Sequence, residues 1–502
     1  MIAKEFHEIS GIHALESVDM ALDTRICERA RLARDPRFDG LFFVGVLSTG
    51  IYCRPTCPAR SPKPENIVYF PSAAAAAEAG LRPCLRCRPE TAPGSPAWNG
   101  TSATVSRALL LIRQGALDKG SLEDLASKLG VGSRHLRRLF QTHIGASPRS
   151  LATTQKILFA KKLLSESDLS VTQIAFASGF GSIRRFNAAF SKTYGTTPSA
   201  IRRRHNINKI AGGKLFQCTL TLSYRQPFDW QRMLSFFESR AIPGVEHVAG
   251  GIYHRTIRIN ETTGVISVAY SPKGNALLLT VALSDSRDLM SIVERVRRMF
   301  DLDANMTAIH DVLTADAVLR GSVERHPGLR LPGAWDPFES AVRAVVGQQV
   351  SVKGARTVMG RVAAMAGSRC ESADLPELTL FFPTPHELNA CDLRGIGMPE
   401  KRVRTVKTLA EEVDRERLCF VVKGSLSDFV EQLTRIPGIG DWTAQYIAMR
   451  AMGEPDAFPA GDLGIIKALQ QGDKRLPVKQ IQKKAQRWRP WRAYAAMHLW
   501  QN

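Results

Sequence analysis

Four cysteines carry the first chemistry legible in this chain. Cys53-Arg-Pro-Thr-Cys57 and Cys84-Leu-Arg-Cys87 form C-x3-C and C-x2-C pairs, and the stretch between them is long enough to bring both around one ion. Four thiolates suit tetrahedral zinc, and an ordinary structural clip is the simplest use of such a site. A thiol that a cation keeps deprotonated is also a nucleophile. A second group lies further along. Leu433-Thr-Arg-Ile-Pro-Gly-Ile-Gly-Asp-Trp-Thr-Ala-Gln-Tyr446 has the form of a helix-hairpin-helix. There Gly438 and Gly440 permit a tight turn whose backbone N–H groups, helped by the helix dipole, can hold a phosphate. Asp462 follows in Phe458-Pro-Ala-Gly-Asp-Leu-Gly464. Taken by itself, an aspartate after glycine is a turn residue or helix cap.

The elements that must position these groups fall into three blocks. Residues 91–102 (TAPGSPAWNGTS) are dense in Pro, Gly and Ser and read as a linker. A second break starts in the basic run at Arg202 and passes into Asn, Gly and Lys up to 214. Between the breaks, apolar spacing of three and four predicts helices, and residues 121–148 and 170–198 each read as a helix-turn-helix. Leu122, Leu125, Ala126 and Leu129 line one first helix; Ile174, Ala175 and Ala177 line the other. The second helices carry Arg134, His135, Arg137 and Arg138, and Arg184, Arg185 and Asn187, side chains suited to phosphates and base edges. Short β-rich runs at 218–224, 253–260, 264–270 and 276–283 predict a small antiparallel sheet. From Leu289 onward the helical period returns. The expected layout is therefore 1–90, a small α+β zinc domain; 103–205, an all-α double helix-turn-helix domain; then, after a linker at 206–214, an α+β part at 215–320 and a helical core at 321–502.

Charge narrows the partners. Of 502 residues, 68 are Lys or Arg against 47 Asp or Glu, a formal net charge of +21 that suits a polyanion. The basic residues run through the whole chain rather than along one amphipathic stretch, which favours nucleic acid over a membrane surface. The apolar stretch 277–283 falls far short of the roughly 20 residues of a membrane span. The opening MIAKEFHEIS has no export signal, so a cytoplasmic protein is expected, and its nine cysteines should stay reduced.

Three resemblances sharpen these readings. Asp35-Pro-Arg-Phe-Asp-Gly, Ser48-Thr-Gly-Ile-Tyr-Cys-Arg-Pro-Thr-Cys57 and Arg82-Pro-Cys-Leu-Arg-Cys-Arg-Pro89 closely resemble the N-terminal domain of the Ada adaptive-response family, over residues 22–90. The resemblance implies that Cys53 accepts a methyl group from a DNA methylphosphotriester while Cys57, Cys84 and Cys87 complete the zinc shell. It places DNA contacts on Thr49, Arg60 and Arg82, and Pro58 stands where the family has an arginine. The thioether product has no simple way back, so one methyl per molecule is expected. Residues 177–198 look like the signature of AraC-type activators, over 103–205, implying promoter DNA and RNA polymerase as partners.

Arg330-Leu-Pro-Gly, Phe338-Glu-Ser-Ala-Val-Arg-Ala-Val-Val-Gly-Gln348 and Arg487-Trp-Arg-Pro-Trp-Arg-Ala-Tyr494 look like AlkA-type 3-methyladenine DNA glycosylases, over 215–502. This resemblance implies Asp462 as the catalytic carboxylate and a base pocket of Phe236, Gln349, Trp442, Tyr446 and Trp500, with Gln349 where the family can have an apolar residue. Relatives that also cut the abasic strand carry a hairpin lysine at the position of Trp442, so a monofunctional, metal-free base excision is expected. Trp488 and Trp491 read as core. In the Ada arrangement a second methyltransferase marked by Pro-Cys-His-Arg comes next; that sequence is absent, and reversal of O6-methylguanine is not expected. Cys27, Cys218, Cys370, Cys391 and Cys419 belong to no motif and read as structural. The expected whole is a monomeric, nucleoid-associated repair protein that responds to methylation. One rival is an activator whose last block supplies mainly DNA affinity, which the frame of Asp462 opposes. The other is an oxidised-purine glycosylase, opposed by the missing lysine.

Overall fold

Very short strands build the front of the chain. The computed structural model describes residues 23–93, 103–118, 120–204, 215–271, 274–370, 375–420, 425–470 and 475–501. β1 (Phe43–Val46), β2 (Ile51–Cys53), β3 (Ile67–Phe70) and β4 (Arg82–Pro83) form a sheet of order β3-β1-β2-β4. β1 is antiparallel to β2 and β3, while β2 runs parallel to β4 with Ile51 opposite Arg82. That parallel pair brings the two cysteine segments side by side, because Cys53 ends β2 and Cys84 follows β4. The Cys84 N–H donates to the Tyr52 carbonyl at 3.0 Å. Beneath the sheet, Tyr52, Phe43, Phe70, Ala76 and Leu81 make a small apolar core.

The helical region packs onto this sheet within one compact unit, residues 1–213 with two short later pieces. Ser72 Oγ caps the helix Ala73–Glu78 and also donates to the Ile144 carbonyl at 2.9 Å. Glu78 accepts from the Ser147 N–H at 3.0 Å, and Lys161 pairs with Glu90 at 3.0 Å with side chains only 4% and 1% exposed.

Both helix-turn-helix units form as expected. The helices Leu122–Lys128 and Val171–Ala177 start at capping boxes, with Ser121 reciprocated by Asp124 and Ser170 by Gln173. Their second helices, Ser133–Ile144 and Ile183–Tyr194, bury Leu136, Phe140 and Ile144, and Phe186, Phe190 and Tyr194. These fourfold spacings leave the basic residues outside. The basic run at Arg202 is not yet linker: Pro198–Arg204 is helical, and Arg202 Nη2 donates to the Leu169 carbonyl at 2.5 Å. Most of the expected linkers, 94–102 and 205–214, lies outside the described residues.

Next along the chain comes a sheet of order β5-β9-β8-β7-β6, made of β5 (Phe216–Ser223), β6 (Glu246–Ala249), β7 (Ile252–Ile259), β8 (Thr262–Tyr270) and β9 (Ala276–Leu283), of which β6 to β9 belong to the second unit. β6 to β9 form an antiparallel meander. β6 was not expected, since Glu-His-Val-Ala lacks a β-rich composition, and Glu246 is held there by ion pairs rather than by apolar packing. Helices from Leu289–Met299 to Arg492–Leu499 complete the unit. Trp488 and Trp491 are buried core, as expected, and Trp488 Nε1 donates to Asp316 at 2.7 Å. Among the described residues, no helix is long and apolar enough to cross a membrane.

Candidate functional site

The sulfurs of Cys53, Cys57, Cys84 and Cys87 all lie within 4.8 Å of one another. A tetrahedral zinc with Zn–S near 2.3 Å sets sulfurs about 3.8 Å apart, so the cluster fits that ion. Hydrogen bonding to Cys57, Cys84 and Cys87, and then burial, raise the Cys53 thiol above its ordinary value in the absence of a cation. Cys84 and Cys87 are buried, whereas Cys53 and Cys57 are half-buried, leaving Cys53 accessible to a reactant.

Sequence reasoning missed the residue that braces this cluster. The Arg54 N–H donates to Cys87 Sγ at 3.3 Å, and its guanidinium bonds the Cys87 carbonyl at 3.2 Å, Thr91 Oγ1 at 2.7 Å and the buried carboxylate of Asp39. Both partners lie inside the quoted motifs, but fifteen residues separate them and no spacing rule joins them.

Thr49, Arg60 and Arg82 are all exposed. The Arg82 N–H donates to the carbonyl of Gly50, the residue after Thr49, at 2.8 Å. The Arg82 guanidinium also lies against Gly195, which closes the second recognition helix. Arg134, Arg137, Arg138, Arg184 and Arg185 are exposed on their helices, as are His135 and Asn187.

In the second unit, the helices Leu426–Thr434 and Asp441–Ala451 flank the hairpin. Gly438 has φ +93°, and a Cβ there would stand 2.1 Å from Thr405 Oγ1, so only glycine fits. Gly440 caps the second helix with open space around it. Gln348 secures the turn by donating from Nε2 to the Gly438 carbonyl and to Thr443 Oγ1, both at 2.9 Å.

Asp462 is the N-cap of the helix Leu463–Ala468, so its bland sequence reading is correct as far as it goes. Its Oδ1 accepts from the N–H groups of Gly464 at 2.8 Å and Ile465 at 3.2 Å, and from Trp500 Nε1 at 2.8 Å. Its Oδ2 accepts from Trp442 Nε1 at 3.0 Å. A Cβ on Gly464 would press within 2.9 Å of the Trp500 ring, so the bare backbone lets the indole approach. Gln445 ties the loop down by accepting from the Phe458 N–H at 3.1 Å.

Asp462 lines a cavity of about 420 Å³ together with Phe236, Trp442, Tyr446 and Trp500. Trp442 and Tyr446 stack at 5.4 Å with planes 15° apart. Gln349 does not line it: with φ +53° it turns outward and is exposed, while its neighbours Gly347 and Val350 form the wall. A buried ionic network closes one side, Glu339 pairing with Arg255 at 2.8 Å and Arg343 at 2.7 Å, and both arginines reaching Glu246. Arg450 and Arg240 also face the cavity. Burial raises the Tyr446 phenol, but these two guanidinium groups outweigh it and hold the phenol below its usual value.

The chain is also similar to known proteins along most of its length. Residues 26–90 match the family described as the metal binding domain of Ada, 125–204 a helix-turn-helix domain family, and 219–336 the AlkA N-terminal domain. Over 479 residues the chain is 40% identical to the probable bifunctional transcriptional activator/DNA repair enzyme AlkA of Mycobacterium tuberculosis, covering 95% of this chain and 96% of that protein. Over 283 residues it is 35% identical to DNA-3-methyladenine glycosylase 2 of Escherichia coli, covering 56% of this chain and 96% of that protein. The solved 3-methyladenine DNA-glycosylase from Archaeoglobus fulgidus shares the fold of the second unit, with a TM-score of 0.50 at 19% identity over 56% of this chain and 97% of that one.

Proposed function

The chain belongs to the AlkA family of bifunctional transcriptional activator/DNA repair enzymes, and we propose that its two units divide that work. The second unit hydrolyses the N-glycosidic bond of alkylated purines of the 3-methyladenine type. The first accepts methyl groups from DNA methylphosphotriesters on Cys53 and activates transcription once methylated. The observation that carries the reading is Asp462, a carboxylate held by two indole N–H groups in the wall of an aromatic cavity.

In this mechanism the hairpin N–H groups around Gly438 and Gly440 hold a backbone phosphate while the damaged nucleotide swings out of the duplex. Its base stacks on Trp442 and Tyr446. As the bond from C1′ to the base nitrogen breaks, its electrons go to the base and positive charge develops on the sugar. Asp462 stabilises that charge and orients the water that attacks C1′. Trp442 supplies no amine for a covalent sugar adduct, so the strand stays uncut.

At the front, a zinc ion held by Cys53, Cys57, Cys84 and Cys87 would keep these thiols deprotonated at neutral pH. Cys53 Sγ forms a bond to the methyl carbon as the methyl–oxygen bond of the phosphotriester breaks, leaving an ordinary phosphodiester. Thr49, Arg60 and Arg82 hold the DNA backbone there, and the basic helices at Arg134, Arg137, Arg138, Arg184 and Arg185 hold promoter DNA. The chain works as a monomer on nucleoid DNA and contacts RNA polymerase.

The test is release of free 3-methyladenine from methylated duplex DNA, with the abasic strand left intact, by the full chain and by Asp462→Asn. Asparagine caps helices as well as aspartate does, so folding and DNA binding should hold. Loss of the charge should slow release about 100-fold. Undiminished release would place catalysis elsewhere.

A further inference from the structure

Five arginines and three carboxylates line the base cavity. Arg255 and Arg343 are matched by Glu246 and Glu339. Arg450 is not. It is 6% exposed, and among the described residues no carboxylate pairs with it. Its Nη1 donates to the Pro332 carbonyl at 3.0 Å and its Nη2 contacts Met497 Sδ at 3.3 Å, while its Nε is buried without an acceptor. What surrounds the cation is the pocket's own aromatic wall. Arg450 Cζ lies 4.7 Å from the Phe236 ring centroid and 5.5 Å from those of Tyr446 and Trp500. Arg240 Cζ lies 4.0 Å from Phe236.

Two facts conflict with a pocket built only to welcome cationic bases. Phe236, Tyr446 and Trp500, three of the rings that line it, already carry this cation, which draws their π density away from a ligand, and the cation repels any positive base directly. A buried charge without a counter-ion also destabilises a fold, so packing does not account for it.

Resting on the base-pocket reading above, we propose that Arg450, supported by Arg240, is a specificity determinant that sets the balance between cationic and neutral lesion bases. A cationic alkylpurine becomes neutral when it receives the electron pair of the broken bond. Arg450 therefore opposes its binding but not its departure. A neutral base receives the same pair and leaves as an anion, which the guanidinium stabilises directly. In both cases the attacking water keeps its oxygen on C1′ and its proton ends on the base or in solvent.

The experiment uses the full chain on duplexes holding a single 7-methylguanine or a single hypoxanthine, a neutral purine, and reads single-turnover rate and half-saturation for each. Arg450→Met should lower half-saturation for 7-methylguanine and slow hypoxanthine release, moving the ratio of efficiencies at least about tenfold toward the cationic base. Arg450→Lys, which keeps the charge, should hold the ratio within about threefold. Should Arg450→Met fail to fold, Arg240→Gln decides, with a smaller shift in the same direction. An unchanged ratio in a folded variant overturns the proposal while leaving the pocket reading standing. A wild-type chain that releases neither base overturns both.

Discussion

Trp500 and Asp462, 38 residues apart, are joined by a 2.8 Å hydrogen bond from indole to carboxylate, and Trp442 holds the other oxygen at 3.0 Å. The two indoles therefore orient the carboxylate as well as wall the cavity. Trp500→Phe keeps a ring in place and deletes one donor. Hydrogen bonds to charged groups contribute about 1.5–3 kcal/mol, so the excision rate should fall at least about tenfold, with half-saturation changed less than about twofold. Single-turnover kinetics on a 3-methyladenine duplex would show it, and an unaltered rate would reduce Trp500 to a wall.

The zinc assignment is checked by Cys84→Ala. Metal analysis of the purified variant should find no stoichiometric zinc, and residues 23–93 should lose protection from proteolysis, because a structural zinc site supplies folding free energy to a small sheet. Full zinc content would refute the four-cysteine shell.

Methylation should act as an electrostatic switch. Four thiolates around a divalent ion leave a double negative charge facing phosphates, and methylating Cys53 removes one of them. DNA affinity should then rise at low salt, with the gain shrinking as salt is added. Titrating the full chain before and after exposure to methylphosphotriester DNA measures this, with Cys53→Ser as the unmethylatable control. Equal affinities at low salt would end the switch while leaving base excision untouched.

Burial raises the Glu339 carboxyl, but Arg255 and Arg343 outweigh it and hold the group at about 2. Because the folded value lies below the ordinary one, the stabilisation is complete above the usual carboxylate range and is lost as pH falls toward 2. Glu339→Gln should therefore destabilise the second unit by about 3 kcal/mol near neutral pH, and wild type and variant should converge on acidification. Denaturant melts across that window decide it; a constant difference would mean that the network matters for shape rather than charge.

What the sequence revealed depended on how locally each signal was written. The cysteine pairs span four or five residues each, and the apolar positions of the helix-turn-helix units recur three and four residues apart. β8 and β9 were visible because their residues are β-formers. β4 is two residues long and β6 contains Glu246 and His247, so neither carries a strand pattern; pairing with neighbours makes them strands. The brace between Asp39 and Arg54 and the pocket role of Arg450 depend on folding remote residues together. Gln349 was misplaced because a left-handed backbone, which its side chain does not advertise, turns it out of the wall.

The buried pair of Lys161 and Glu90 bears on how such a protein can be cut and recombined. A fragment ending at residue 90 would leave Glu90 at a frayed terminus, and the Ser72 hydroxyl would lose its acceptor on Ile144. The partner fragment would keep Lys161 as a stranded ammonium on the helix Pro148–Glu166. For anyone grafting this zinc domain onto another protein, the packed piece to carry over is residues 23–204 rather than the zinc motif alone, and a join made at the Pro-rich stretch after Thr91 should lower the melting temperature of the transferred domain.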